Sequence, residues 1–319
     1  MPTDIRVAWW NLENLFDSSG AQRDPELAAQ LKGELKGWTV QVRDRKLDQL
    51  ASIVKLMFAG DGPDILGVCE VENERVVQML ADRLNLVGRN YQVLGHASPD
   101  ARGIDVSFIF DGNVLTATNS GHQVVVKRTG TRDIFWSTIT VAVTGDSFVA
   151  VANHWPARSE GQYESEPYRM LTGETLSFVL ATLLDEDADL PVLVMGDFND
   201  EPHNRAMQEY LLGSNDPNQV RNARTPRVLN LMWSMLGANE PGTFRFGSTW
   251  NMLDQFLVTK GALRQASKLK VDRSSVSIFR PSVMRGSGGA PRRFGRPAKK
   301  LDTDGYSDHF PITVELRVS

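Results

Sequence analysis

The chain has 319 residues, 41% hydrophobic and 23% charged, with a net charge of −4. It is long enough to bury a substantial core, and it carries no overall positive field that would gather long polyanions. Its single cysteine, Cys69, excludes an intrachain disulfide, and no stretch approaches the ~20 apolar residues of a membrane span.

Met1-Pro2-Thr3-Asp4 lacks the basic region and long apolar stretch of a signal peptide. A cytoplasmic monomer is expected, or a secreted one if a leader has been removed. Residues 5–10 predict a strand ending in Asn11-Leu12-Glu13-Asn14, and the polar stretch 18–42, with a helical piece at 25–36, predicts a surface excursion. Over 44–57, Leu47, Leu50, Ile53 or Val54 and Met57 share one helical face. An apolar strand at 65–69 then ends in Glu70-Val71-Glu72, and a helix is expected over 74–86. β-Branched and aromatic runs predict strands at 91–94, 106–110, 122–127, 134–143 and 148–153, the last followed by His154. A helix over 168–184 precedes a strand at 192–195, which ends in Gly196-Asp197-Phe198-Asn199-Asp200. Strands at 253–258 and 312–316 complete the series, the second preceded by Ser307-Asp308-His309. Residues 279–300 are rich in Gly and Pro, hold seven Arg and Lys and no acid, and predict a long basic loop. With no linker and no repeat, the chain is expected to be one α/β domain spanning 1–319, two mixed β-sheets packed together with helices outside.

Four apolar runs thus end abruptly in carboxylates, amides or imidazole, the pattern of buried strands delivering their last residues to a shared site. The oxygen-rich set suggests a hard-metal centre that handles phosphate. Glu70 is the best candidate ligand, with Asn11 and Asp308 near it and Glu13 a further one. Asp197 and Asn199, two apart in extended chain, are expected on one side, the aspartate to hold water and the amide to donate to a phosphate oxygen. By the same parity Cys69 points away from Glu70. Catalytic histidines need partners that fix their tautomers; Asp105 and Asp254, each at a strand end, are the candidates for His154 and His309. His96, His122 and His203 are read as ordinary structural residues.

The ordered set Trp10-Asn11-Leu12-Glu13-Asn14, Cys69-Glu70-Val71-Glu72, Arg102-Gly103-Ile104-Asp105, Asn153-His154-Trp155, Gly196-Asp197-Phe198-Asn199-Asp200, Leu253-Asp254-Gln255-Phe256 and Ser307-Asp308-His309 resembles the endonuclease/exonuclease/phosphatase superfamily, which includes deoxyribonuclease I. The resemblance implies a four-layer α/β-sandwich and dependence on Mg²⁺ or Mn²⁺. It implies Glu70, Asn11 and Asp308 at the metal, Asp197 and Asn199 as the pair that orients the attacking water, and His309 with Asp254 as the catalytic imidazole and its partner. His154 matches the second histidine of the deoxyribonuclease I-like and phosphatase branches, with Asp105 as its partner. Apurinic-site endonucleases carry a tyrosine at that place. Arg102, Asn153 and Arg158 are the expected substrate contacts, and Arg169 is a further candidate phosphate clamp.

The leading expectation is a nuclease cleaving phosphodiesters of DNA or RNA, with the basic loop along the backbone and Trp9, Trp10, Trp155 and Trp250 near the motifs as candidate stacking surfaces. The alternative is a hydrolase of a small phosphoester such as a nucleotide, a phosphoinositide-like or a sphingolipid-like substrate.

Overall fold

A computed structural model describes residues 4–159, 161–237 and 242–318. Its apolar runs assemble into two mixed sheets. The first has six strands in the order Leu269–Ile278, Ile312–Val318, Ile5–Leu15, Ile65–Val71, Asp105–Asp111, Tyr91–Gly95. The second has seven, in the order Leu115–Gln123, Ile134–Val141, Ser147–His154, Val192–Asp197, Asp254–Val258, Val228–Asn230, Gly213–Ser214. The central strands are buried along their whole length, which explains why they read as continuous apolar runs rather than as alternating ones. The inner faces meet through Trp9, Phe108, Met195 and Phe256. At Gly67 the sheets approach so closely that an added Cβ would stand 2.6 Å from the Trp9 ring and the Met195 sulfur.

Helices cover the outer faces. Thr39 caps Val40–Val54 by accepting from the Val42 N–H, and Asn73 caps Glu74–Leu84 through Val76. On the other side Glu166–Leu183 presses Leu176 and Leu180 onto Val149, Val151, Val192 and Val194. No helix among the described residues is long and apolar enough to cross a membrane.

Pairing direction decides where the motifs meet. Ile5–Leu15 runs parallel to Ile65–Val71, and Ser147–His154 runs parallel to Val192–Asp197. Their carboxyl ends, bearing Asn11, Glu70, His154 and Asp197, therefore reach one edge of the sandwich. Asp254–Val258 and Ile312–Val318 are antiparallel to their neighbours, so Asp254 and the preceding Asp308-His309 come to that edge from the amino side.

Three expectations change. The strand expected at 122–127 is instead Leu115–Gln123, and Leu269–Ile278 was not anticipated at all. Both are edge strands with polar outward faces, so they carry little apolar signal. The loop 279–300 contains a two-residue ribbon pair, Gly295–Arg296 with Lys300–Leu301, and buries Phe294 edge-on against Trp38.

Candidate active site

Asp197 is the centre of the arrangement. In the sheet register it stands opposite both His154 and Asp254. Its Oδ2 accepts from the Asn11 amide at 3.0 Å and lies 3.7 Å from His154 Nε2 and 3.9 Å from His309 Nε2. Two imidazoles thus flank one buried carboxylate without hydrogen-bonding it. Glu70 Oε1 lies 3.8 Å from His154 Nε2 on the side toward the opening.

His309 is held on all sides. Its Nδ1 meets Asp254 Oδ2 at 2.6 Å, its backbone N–H donates to Ser307 Oγ, and its carbonyl accepts from Trp10 Nε1. The Phe244 ring packs 4.7 Å from the imidazole. Asp254 in turn accepts from Trp9 Nε1, and Ser307 donates to the Asn11 carbonyl. Burial opposes a charge on His309, but Asp254 and Asp197 outweigh it and push its pKa up to about 10. His154 goes the other way: burial and the nearby Arg132 and Arg102 hold it well below 6.5, as a neutral imidazole. Burial, with the Asp254 charge, raises Asp197 to about 6. Environments that drive neighbouring groups apart in this way separate a fixed cation from a group able to take a proton.

The rim carries oxygen donors facing cations. Arg102 stands 3.5 Å from Glu70 and donates to Asn14 Oδ1 at 2.7 Å. Burial pushes Glu70 up, yet Arg102, His309 and Arg132 pull it below the usual carboxylate range. Burial raises Asp308, and Glu70 adds to the effect against the nearby Arg293, 3.3 Å away. Glu70 sits at φ +59° in a β-bulge, with Glu13, Asn14 and Asn199 also in the left-handed region. Such conformations cost a non-glycine residue on the order of 1 kcal/mol or more and cluster at functional sites. The bulge overturns the parity expectation for Cys69. Its Sγ lies within 4.8 Å of ligand atoms of His154 and Asp197, buried beneath the cleft, with burial holding the thiol well above its ordinary pKa.

Several expected residues do other work. Asp105 does not hold His154; it accepts from the Ser98 N–H and hydroxyl, and His154 Nδ1 has no hydrogen-bond partner among the described residues. The Asn199 amide donates to the Trp155 carbonyl, and its backbone N–H closes a turn on Asp197 Oδ1, so it shapes the 197–200 turn rather than facing the cleft. Arg158 grips that same turn at the Asn199 carbonyl and at Asp200. Arg169 is fully buried against Asp200, Ser165 and the Gln162 carbonyl, which takes it out of reach of any phosphate. Asn153 is buried with its amide nitrogen unpartnered among the described residues. The Glu13 carboxylate accepts from Arg293 Nε and from the backbone N–H groups of Phe294 and Gly295, and so anchors the basic loop instead of facing the cleft.

Part of the loop's positive charge is already engaged. Arg292 pairs with Asp302, Arg296 with Glu34, and Arg293 with Glu13 and Asp308. Trp9, Trp10 and Trp155 are fully buried, so none of these offers a face to a base, whereas Trp250 is only half-buried, stacked on Phe310. Two residues escaped the sequence analysis. Arg132 supports the His154 segment through the carbonyls of His154 and Trp155 and pairs with Asp100. Lys46, wholly buried, donates to the Glu13 carbonyl; burial lowers its pKa while Glu13 and Asp308 oppose that. An amphipathic helix gives no sign that one of its lysines turns inward.

The model of the Endonuclease/Exonuclease/phosphatase family matches residues 6–318. Comparison with curated proteins finds no match. Among solved structures, the human nocturnin catalytic domain with bound sulfate is similar at 19% identity and TM-score 0.60, over 99% of this chain and 94% of that one. A mannosyl-6-phosphatase of Bacteroides thetaiotaomicron aligns at 16% identity and TM-score 0.59, over 98% and 99% of the two chains. TDP2 of D. rerio complexed with a single-strand DNA product aligns at 15% identity and TM-score 0.58, over 98% and 99%.

Proposed function

The chain belongs to the endonuclease/exonuclease/phosphatase family, and from that premise we propose that it is a divalent-metal-dependent phosphoester hydrolase whose reacting water is activated by Asp197. The observation that carries the reading is the placement of Asp197 Oδ2 between the Asn11 amide and two imidazoles held in opposite charge states.

Glu70 and Asp308, with Asn11 whose Oδ1 also accepts from the Glu13 N–H, offer only oxygen donors, and burial together with the Glu70 charge raises Asp308. That donor set fits a hard cation, Mg²⁺ or Mn²⁺, and these three residues would hold it. When bound, the ion supplies Lewis-acid neutralisation of phosphoryl oxygens. Asp197 accepts the proton of the attacking water as the water oxygen bonds to phosphorus and the bond to the ester oxygen breaks, the departing oxygen taking a proton from solvent, while Asn11 fixes the carboxylate in place. His309, kept cationic by Asp254, donates Nε2–H to a phosphoryl oxygen as negative charge grows there. Neutral His154 contacts the phosphoryl group from the other side, and the unpartnered Asn153 amide gives it a further donor. Arg102 lies at the rim with its guanidinium partly exposed and is positioned to receive an incoming phosphate.

The substrate we favour is a small phosphoester. Three of the loop's arginines, Arg292, Arg293 and Arg296, are held by Asp302, by Glu13 and Asp308, and by Glu34, and the buried Trp9, Trp10 and Trp155 cannot stack on bases. The nuclease reading keeps one support, the likeness to TDP2 in complex with a DNA product. A panel in Mg²⁺ separates the two: plasmid, single-stranded oligonucleotide, RNA, sugar phosphates, nucleotides and bis-p-nitrophenyl phosphate. Greater kcat/KM on a small ester than on every polymer supports the assignment. A polymer preference of ~10-fold or more overturns the substrate choice, and inactivity on the whole panel overturns the hydrolase.

A further inference from the structure

Away from the cleft, at the outer edges of both sheets, three ligating side chains converge. His96 immediately follows the edge strand Tyr91–Gly95 of the first sheet. His122 belongs to Leu115–Gln123, the edge strand of the second, and Asp133 immediately precedes the strand beside it. One ligand atom from each lies within 4.8 Å of the others. His96 Nε2 is 2.9 Å from Asp133 Oδ2, and the two imidazoles lie 3.8 Å apart, centre to centre. The Phe135 ring lies nearly parallel to His96 at 6.0 Å, helping to fix the orientation of that imidazole.

A stacked pair of imidazoles is a poor way to satisfy a buried carboxylate. His96 bonds Asp133, and the exposed His122, stacked nearly parallel on it, turns its ring to bring a nitrogen to an ion shared with them. Asp133 is 3% exposed, and its second oxygen, Oδ1, has no hydrogen-bond partner among the described residues. A buried carboxylate oxygen with an open lone pair beside two imidazoles is a donor set that suits a borderline divalent cation. Two imidazoles and one carboxylate select Zn²⁺ over Mg²⁺, and the exposed His122 leaves a route from solvent and a fourth position for water.

We propose that His96, His122 and Asp133 form a Zn²⁺ site that clamps the edge of the first sheet to the edge of the second. Its donor chemistry is distinct from that of the oxygen-lined cleft. Asp133 adjoins Arg132, which supports the carbonyls of His154 and Trp155, so the ion also steadies the segment beneath the cleft.

The test is Zn²⁺ binding to metal-stripped full-length protein in saturating Mg²⁺, read by equilibrium dialysis with elemental analysis and by thermal shift. Wild type is expected to bind one equivalent and to melt at a higher temperature with Zn²⁺. His122→Ala, at an exposed edge position, should fold normally, weaken binding by at least ~10-fold and lose the thermal shift. His96→Ala should do the same, and substitution of Co²⁺ should give a visible band in wild type that both variants lack. No binding by wild type overturns the proposal. So does undiminished binding by His122→Ala, or binding that survives in both variants but is lost in His154→Ala, which would place the ion in the cleft.

Discussion

Replacing Asp254 by Asn removes the charge that keeps His309 cationic while preserving most of the contacts around it. Asparagine retains an oxygen for Trp9 Nε1 and fills the same volume. With its pKa at about 10, His309 is more than ~99% imidazolium at about pH 8. Without Asp254, burial is opposed by Asp197 and Asp308 and the pKa falls, the ordinary 6.5 setting the scale of the effect. At about pH 8 the imidazolium fraction then falls to about 3% or less, a ~30-fold loss from charge alone. Loss of the carboxylate that sets tautomer and orientation extends this toward ~10⁴-fold. The sign of the linkage follows from the raised pKa. The stabilisation from the Asp254–His309 pair is fully present below about 6.5 and is lost as pH rises through about 10, with a ceiling on the order of 5 kcal/mol. The assay is kcat/KM for a chromogenic diester from about pH 5 to about pH 10.5, with urea unfolding at the same values. Wild type should show a rising limb near 6 from Asp197 and a falling limb near 10 from His309. In Asp254→Asn the falling limb should move below about 7, and the stability gap to wild type should close at the alkaline end. A folded variant that keeps its falling limb near 10, or loses less than ~10-fold at about pH 8, refutes the charge assignment.

Chelation with EDTA should abolish turnover, and Mg²⁺ or Mn²⁺ should restore it; Glu70→Gln should raise the metal concentration required for half-maximal rate by at least ~10-fold without lowering the melting temperature. Burial raises Asp105 to about 6, so its stability cost appears as pH rises through 3.8 to about 6; Asp105→Asn, which keeps an acceptor for Ser98, should stabilise by up to ~3 kcal/mol near pH 7 and by nothing below about pH 3, read by urea denaturation. Arg293→Ala frees both Glu13 and Asp308 and should lower kcat on a small diester and on an oligonucleotide by similar factors, about 10-fold, whereas Arg292→Ala should leave the salt dependence of both unchanged. Unequal effects of Arg293→Ala, confined to the oligonucleotide, would return the loop to a backbone-binding role.

The contact of His309 with Asp254 was expected through the family resemblance, since strand-end position alone left Asp105 and Asp254 as candidates for either histidine. The buried central strands were legible as continuous apolar runs. Leu115–Gln123 and Leu269–Ile278 were not, since an edge strand with a wet face needs only scattered apolar residues. Asp105 misled because a strand-end carboxylate looks the same whether it turns to a histidine or to the hydroxyl of Ser98. The bulge at Glu70 reverses the parity on which side-chain direction was argued, and no local signal announces a left-handed glutamate. The pairing of the basic loop was not legible either. Its arginines are contiguous in sequence, while their carboxylate partners Glu13, Glu34 and Asp302 lie outside the loop and are joined to it only by folding.

The most direct measurement is the Mg²⁺-dependent hydrolysis of bis-p-nitrophenyl phosphate and p-nitrophenyl phosphate by wild type and by Asp197→Asn, paired with circular dichroism of both. If Asp197 activates the attacking water, wild type turns over at least one ester and the folded variant loses at least ~10³-fold in kcat with little change in KM. Hydrolysis by Asp197→Asn at the wild-type rate would contradict the account at its centre.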